Sequence, residues 1–239
     1  MSLLIISLII VILIILFFIY LSFRKQPTVV KNLYLNGEDI TPVPSKDIKT
    51  PFSALYTVGT WIYVNSFTTV GKPFVRYGNS ANDGSSPSKP WLFALRLDNT
   101  TPTLYADVAV GTQAANSTES IVISNNFPIQ SWVYVVVAVS SNYVDVYMNG
   151  KLVTSKKLTI PSMSNAANDK PTFTFQRSDI YLSNLYRWDY PLDPQTVWSY
   201  YTKGNSAASG GPNSKTRNSK MHMSVNLQKD SKNYTYNIF

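Results

Sequence analysis

The sequence predicts an all-β, antiparallel sandwich or barrel, and three observations carry that expectation. Between Gln26 and Thr202, short apolar-alternating runs recur every 8–15 residues with turn residues between them. Tyr143-Val144-Asp145-Val146-Tyr147-Met148 alternates in period two and runs into Asn149-Gly150, a dipeptide suited to the two positive φ angles of a tight hairpin turn. Trp132 to Val139 is nearly all apolar, as expected of a central strand covered on both faces.

Taken in order, the first element is not a strand. Leu3 to Phe23 is a run of 21 residues in which only Ser7, Tyr20 and Ser22 are polar or amphipathic. As a helix it would reach about 30 Å, the thickness of a bilayer core. A cleaved signal peptide would have a basic start, a shorter apolar run and a small-residue exit, and none of these is present, so residues 1–25 read as a retained transmembrane anchor. Arg24 and Lys25 follow at once and Lys31 is close behind, which by the positive-inside rule holds the remainder on the cytosolic side. Three acceptor-type triplets, at Asn99, Asn116 and Asn233, would argue for the opposite side if they were glycosylated.

The strands then read as Thr57–Val64, Pro73–Tyr77, Trp91–Leu97, Leu104–Val110, Ser120–Ile123, Trp132–Val139, Tyr143–Met148, Leu152–Leu158, Thr172–Phe175 and Ile180–Trp188. Gly78 to Pro90, rich in Asn, Asp, Gly, Ser and Pro, reads as a long loop. One short helix follows, with Asp193 as N-cap, Pro194 at its first position and Gly204 as its stop. Its Val197, Tyr200 and Tyr201 would share the face that packs on the sheet. Beyond a Gly/Ser/Asn/Pro linker from Gly204 to Ser214, Met221–Leu227 and Tyr234–Ile238 alternate in the strand period. Two lone strands would not be stable, so the expectation is that this tail adds to a sheet edge of its own domain or of a neighbouring subunit. The organisation expected is therefore an anchor at 1–25, a sandwich at 26–203 and a basic extended tail at 204–239.

The Trp132-Val133-Tyr134-Val135 strand and the Tyr147-Met148-Asn149-Gly150 hairpin resemble those of the concanavalin A-like superfamily, of laminin-G and pentraxin type. Trp61-Ile62-Tyr63-Val64 is similar to that family's early core strand and Ile180–Leu185 to its closing strand. The resemblance covers roughly residues 30 to 203 and implies a jelly-roll sandwich. The segment from Trp188 to Trp198 also resembles versions of the domain in structural proteins of large DNA viruses that carry an internal membrane. That implies a minor virion component. Fold alone does not decide function, because the superfamily hosts lectins, glycanases, adhesion modules and structural proteins.

Composition disfavours catalysis. With no Cys and His222 alone, cysteine nucleophiles, zinc-ribbon sites and multi-histidine metal sites cannot be assembled within one chain. The glycanases of this fold use a Glu pair with an intervening Asp, whereas this chain has only Glu38 and Glu119, far apart in sequence. The Asp98 and Asp107 pair and the Asp145 and Asp179 pair form no recognisable arrangement either. No catalytic residue, metal ligand or cofactor is expected. For a lectin-like role the candidates are Asn82 and Asp83 with Trp91, where a loop carboxylate could also hold calcium, although Asn-Asp-Gly segments more often close turns.

The net charge of +8 belongs to the chain ends: residues 27–202 carry 13 basic and 12 acidic side chains, while residues 203–239 carry six basic ones against Asp230. Such ends suit anionic lipid or an acidic protein surface, and no specific nucleic-acid partner is expected. The tail residues expected to meet a partner are Lys215, Arg217, Lys220, Met221, Met223, Val225, Leu227 and Lys229. The function expected from the whole is a non-catalytic structural protein of a virion's internal membrane, tethering that membrane to capsid proteins. The alternative is a membrane-displayed module that binds carbohydrate.

Overall fold

The structure is a computed structural model that describes residues 11–16, 28–36, 41–48, 50–51, 53–67, 72–79, 91–111, 117–162, 171–205, 224–229 and 232–237. Its strands are β1 (Thr28–Tyr34), β2 (Tyr56–Val64), β3 (Val75–Asn79), β4 (Phe93–Leu97), β5 (Leu104–Val110) and β6 (Ser117–Ser124). They continue with β7 (Trp132–Val139), β8 (Tyr143–Met148), β9 (Lys151–Lys157), β10 (Pro171–Phe175) and β11 (Ile180–Trp188), then β12 (Ser224–Lys229) and β13 (Lys232–Asn237). One sheet has the order β1-β11-β2-β7-β8-β9 and a second has β10-β3-β4-β5-β6. All neighbouring strands are antiparallel.

Alternation builds the core between these sheets. Val133, Val135, Val137 and Val139 of β7 meet Ile62, Val144 and Leu182 of their own sheet and Phe93, Leu95 and Val108 of the other. The intervening Tyr134, Val136 and Ala138 point to the outer face of the six-stranded sheet. They are covered there by the helix Pro194–Thr202 through Val197, Tyr200 and Tyr201. The near-continuous apolarity of this strand thus has two causes, a core on one side and a helix on the other.

Helix and hairpin are as expected and touch each other. Asp193 accepts the Thr196 backbone N–H at 2.9 Å and the Thr196 hydroxyl at 2.6 Å, and these two bonds lower its carboxyl pKa. Asn149 and Gly150 have φ of 51° and 78°. A Cβ on Gly150 would lie 2.7 Å from Trp198 and 3.0 Å from Tyr201 of the helix. Gly150→Ala would therefore combine a strained turn with an undocked helix. We expect a loss of about 1–2 kcal/mol from the backbone alone, read as a lower thermal midpoint with greater solvent exposure of Trp198.

The structure goes beyond the strand reading of the sequence at three places. β1 went unread because Val30 and Leu33, three residues apart, both pack on the core, with a register shift between Thr28 and Val30. The segment therefore lacks the period-two signature. The Gly78–Pro90 loop is shorter at its start, since Gly78 and Asn79 complete β3, and residues 80–90 lie outside the described residues. The tail strands pair with each other, from Ser224 opposite Asn237 to Lys229 opposite Lys232. Only two residues separate β12 from β13, which makes a hairpin the shortest way to satisfy both backbones.

Most of the expected anchor, Leu3–Phe23, lies outside the described residues. Residues 11–16 are helical, and their six apolar side chains are each 47–59% exposed. Among the described residues no helix is long and apolar enough to cross a membrane.

Candidate functional site

Antiparallel register brings four aromatic residues into one row across the outer face of the six-stranded sheet. Tyr34 of β1 lies opposite Tyr181 of β11, Tyr181 opposite Tyr63 of β2, and Tyr63 opposite Trp132 of β7. The rings touch in sequence: Tyr34 and Tyr181 stack at 4.1 Å, Tyr181 meets Tyr63 edge-on at 5.9 Å, and Tyr63 meets Trp132 at 5.5 Å. Each such pair contributes about 0.5–1.5 kcal/mol beyond its buried area. All four residues remain half-buried, whereas the next row, Trp61 and Tyr134, is roofed by Tyr201 of the helix.

The open row ends on a polar cluster. Asp179 accepts from Tyr34 Oη at 3.0 Å, Asn65 Nδ2 at 2.8 Å and Ser66 Oγ at 2.5 Å. Burial raises its carboxyl pKa, but the hydroxyl of Ser66, the amide of Asn65 and the Tyr34 hydroxyl outweigh it, so the net shift is downward. Such a strip, with aromatic edges, phenol groups and a fixed anion, can bind a partner that is apolar on one side and carries hydrogen-bond donors at its rim.

Three further carboxylates are committed to structure. Asp107, on the outer face of β5, is bound by Arg96 Nε at 2.8 Å and by Ser120 Oγ at 2.6 Å, and Arg96 lies over Tyr105. Glu119 accepts the Thr159 N–H at 2.6 Å and pairs with Lys156 at 3.1 Å. Asp98 closes its own turn through Thr100 and Thr101. Glu38 lies outside the described residues. Among the described residues no three His, Cys, Asp or Glu side chains gather where they could hold a metal ion.

Of the sequence candidates, Asn82 and Asp83 lie outside the described residues. Trp91 just precedes β4, and the Arg76 guanidinium sits 4.5 Å above its ring, so one of its faces is already taken. Lys215, Arg217, Lys220, Met221 and Met223 are also outside the described residues, while Val225, Leu227 and Lys229 belong to β12. The aromatic row was missed because its four members come from separate runs. Only the pairing of β1, β11, β2 and β7 joins them, and β1 itself had not been read as a strand.

Two antiparallel sheets with this crossover order and an outer helix define a lectin-like jelly-roll sandwich. A family model described as the concanavalin A-like lectin/glucanases superfamily matches residues 35–201, and the chain belongs to that superfamily. No curated protein matches the chain in sequence. Among solved structures, the receptor binding domain of botulinum neurotoxin D is similar over 75% of this chain and 45% of its own length, with a TM-score of 0.53 and 13% identity. The ligand binding domain of botulinum neurotoxin serotype D in complex with N-acetylneuraminic acid is similar over 75% and 44%, with a TM-score of 0.52 and 13% identity. The binding domain of botulinum neurotoxin DC in complex with SialylT is similar over 72% and 42%, with a TM-score of 0.51 and 15% identity. The chain thus spans less than half the length of these structures, and at such identities the likeness is one of fold. These neighbours are receptor or ligand binding domains.

Proposed function

We propose that the chain is a non-catalytic, single-pass membrane protein whose sandwich and basic tail face the cytosol. It would serve as a minor structural component of a virion, linking the internal membrane to the protein shell. One observation carries the membrane half of this reading. Residues 11–16 are helical and expose apolar side chains on every side, within a longer apolar run that has the length of a bilayer crossing. Such a helix finds its partner in lipid. For the shell half, support comes from the basic ends, from a tail hairpin whose two outer edges can take up a further strand, and from the resemblance of the Trp188–Trp198 segment. Its partners are then lipid and capsid proteins, with no cofactor and no nucleic acid.

The side of the membrane is tested at Asn99. This triplet lies in an exposed turn after β4, accessible to modification if the domain is lumenal. The expected result is an unmodified Asn99 and digestion of the sandwich by protease added outside sealed vesicles whose outer surface is cytosolic. A glycan at Asn99 with protease protection would reverse the topology.

The aromatic row favours a second reading, in which the sandwich binds carbohydrate. Half-buried tyrosine and tryptophan rings beside a fixed carboxylate suit the apolar face and hydroxyl rim of a sugar. Neighbours of the same fold are found with N-acetylneuraminic acid or SialylT. On this reading a glycan array gives binding that is lost in Tyr63→Ala and Trp132→Ala and kept in Val122→Ala. Calcium would enter only through the loop carboxylate Asp83.

A further inference from the structure

The short connection between the expected anchor and β1 fixes which end of the sandwich meets the bilayer. Four residues, Arg24 to Pro27, separate Phe23 from Thr28, where β1 begins. Fully extended, the step from Phe23 to Thr28 spans at most about 17 Å. Nine-residue β2 runs about 30 Å along the sandwich, so the far end cannot turn to the membrane on that tether.

Register defines the near end. Thr28 lies beside Tyr186, and Trp188 beside Thr57, Tyr56 beside Val139, and Tyr143 beside Lys157 continue across the sheet. Val110, bridged to Ser162, marks the same end of the second sheet. The segments here are joined into one rim. Ser162 Oγ lies 3.1 Å from the Ala54 carbonyl and 3.2 Å from that of Ser140, and the Leu158 N–H donates to Asn142. The Gly111 N–H donates to Pro161, and the Thr57 hydroxyl holds the carbonyl of Tyr190 at 2.8 Å.

This rim carries Leu55, Tyr143, Ile160 and Tyr190, which are 41–50% exposed. Beyond the N-terminal helix, the other exposed large hydrophobics among the described residues lie elsewhere: Ile129 precedes β7 at the opposite end, Val122 is on β6, Leu152 and Val153 are on β9, and Trp198 is on the helix. Lys157 is exposed beside Tyr143, and the nearby acidic groups are hydrogen-bonded within the protein, Asp189 by the Thr50 hydroxyl, the exposed Asp193 by Thr196, and Glu119 by the Thr159 N–H and Lys156.

We propose that this rim rests in the headgroup region of the same bilayer that holds the N-terminal helix, with Leu55, Tyr143, Ile160 and Tyr190 as its contacts. Tyrosines and aliphatic side chains at one end of a tethered domain are the residue types that partition to that region, and Lys157 with Arg24 and Lys25 complements anionic lipid. The sandwich then stands with its aromatic row, at the Tyr34 end of β1, away from the membrane and free for a partner. The inference rests on the membrane-anchored reading of residues 1–25.

The chain has no cysteine, so single-cysteine variants can each carry one fluorophore. Leu13→Cys, Leu55→Cys, Ile129→Cys and Ile160→Cys all fall at exposed positions and leave the core intact. The labelled full chains are reconstituted in phosphatidylcholine vesicles containing phosphatidylserine, with lipid-borne quenchers placed either near the headgroups or deep in the acyl chains. The expected result is loss of fluorescence at position 13 with the deep quencher, loss at positions 55 and 160 with the shallow one, and none at position 129. Quenching at 13 with positions 55 and 160 indistinguishable from 129 overturns the rim contact and leaves the anchor standing. No quenching at 13 overturns the anchor and the rim contact with it.

Discussion

Removing residues 1–25 moves the protein from the membrane pellet to the supernatant of an alkaline wash, with the sandwich still folded. The deleted stretch holds the long apolar run, and each buried methylene of such a run contributes about 0.8 kcal/mol to membrane retention, which makes insertion effectively irreversible. The first strand starts only at Thr28, so the deletion removes no residue of the two sheets. A graded version replaces Leu13, in the helical 11–16 segment, by Arg. A single Arg at the centre of a spanning helix costs about 2.5–3.5 kcal/mol of insertion. Part of the Leu13→Arg protein is therefore expected in the soluble fraction. A deletion variant that stays in the pellet would show that the sandwich or tail, and not the helix, holds the membrane.

Arg187→Ala lowers the stability of the sandwich by about 1.5–3 kcal/mol, the range for a hydrogen bond made by a charged group, because the Thr50 carbonyl loses its donor. Arg187 is 2% exposed, on the side of β11 that faces the core, an unusual place for a guanidinium. It donates to the Thr50 carbonyl at 3.2 Å and lies 5.5 Å from the Tyr56 ring and 5.1 Å from the Tyr77 ring. Burial pushes the Tyr56 hydroxyl up strongly and that of Tyr77 up to about 12, with Arg187 pulling both partway back. Thr50 itself has φ 43° and bonds Asp189, so the guanidinium fixes a strained turn as well as filling the space between two rings. The check is the urea midpoint of tryptophan fluorescence, compared with exposed Val122→Ala, for which a change within about 0.5 kcal/mol is expected. Equal midpoints would mean that the core closes over Arg187 without loss.

The sandwich was legible in the sequence because its signals are local. Period-two alternation marks β8, the Asn149-Gly150 turn sets the hairpin, and Asp193 with Pro194 starts the helix; each needs only neighbours in the chain. What escaped needs partners distant in sequence. β1 packs Val30 and Leu33 inward across an irregular register, and its edge position becomes apparent only beside β11. The aromatic row is invisible for the same reason: Tyr34, Tyr181, Tyr63 and Trp132 look like separate strand residues until four strands are laid side by side. Arg187, in the sequence a polar break in an apolar strand, becomes a core residue only once Tyr56 and Tyr77 close around it. The tail strands were legible as strands but not as each other's partners, since alternation reports a face and not a mate.

Membrane-to-shell tethering is tested most directly by cross-linking mass spectrometry on the intact native particle or membrane. The tail lysines Lys215, Lys220 and Lys229 are the reactive groups. Cross-links from them to a capsid-type protein are the predicted result and would identify that partner. Cross-links confined to this chain, together with glycan-bearing peptides at Asn99, would contradict tethering and make the displayed carbohydrate-binding domain the function of this fold.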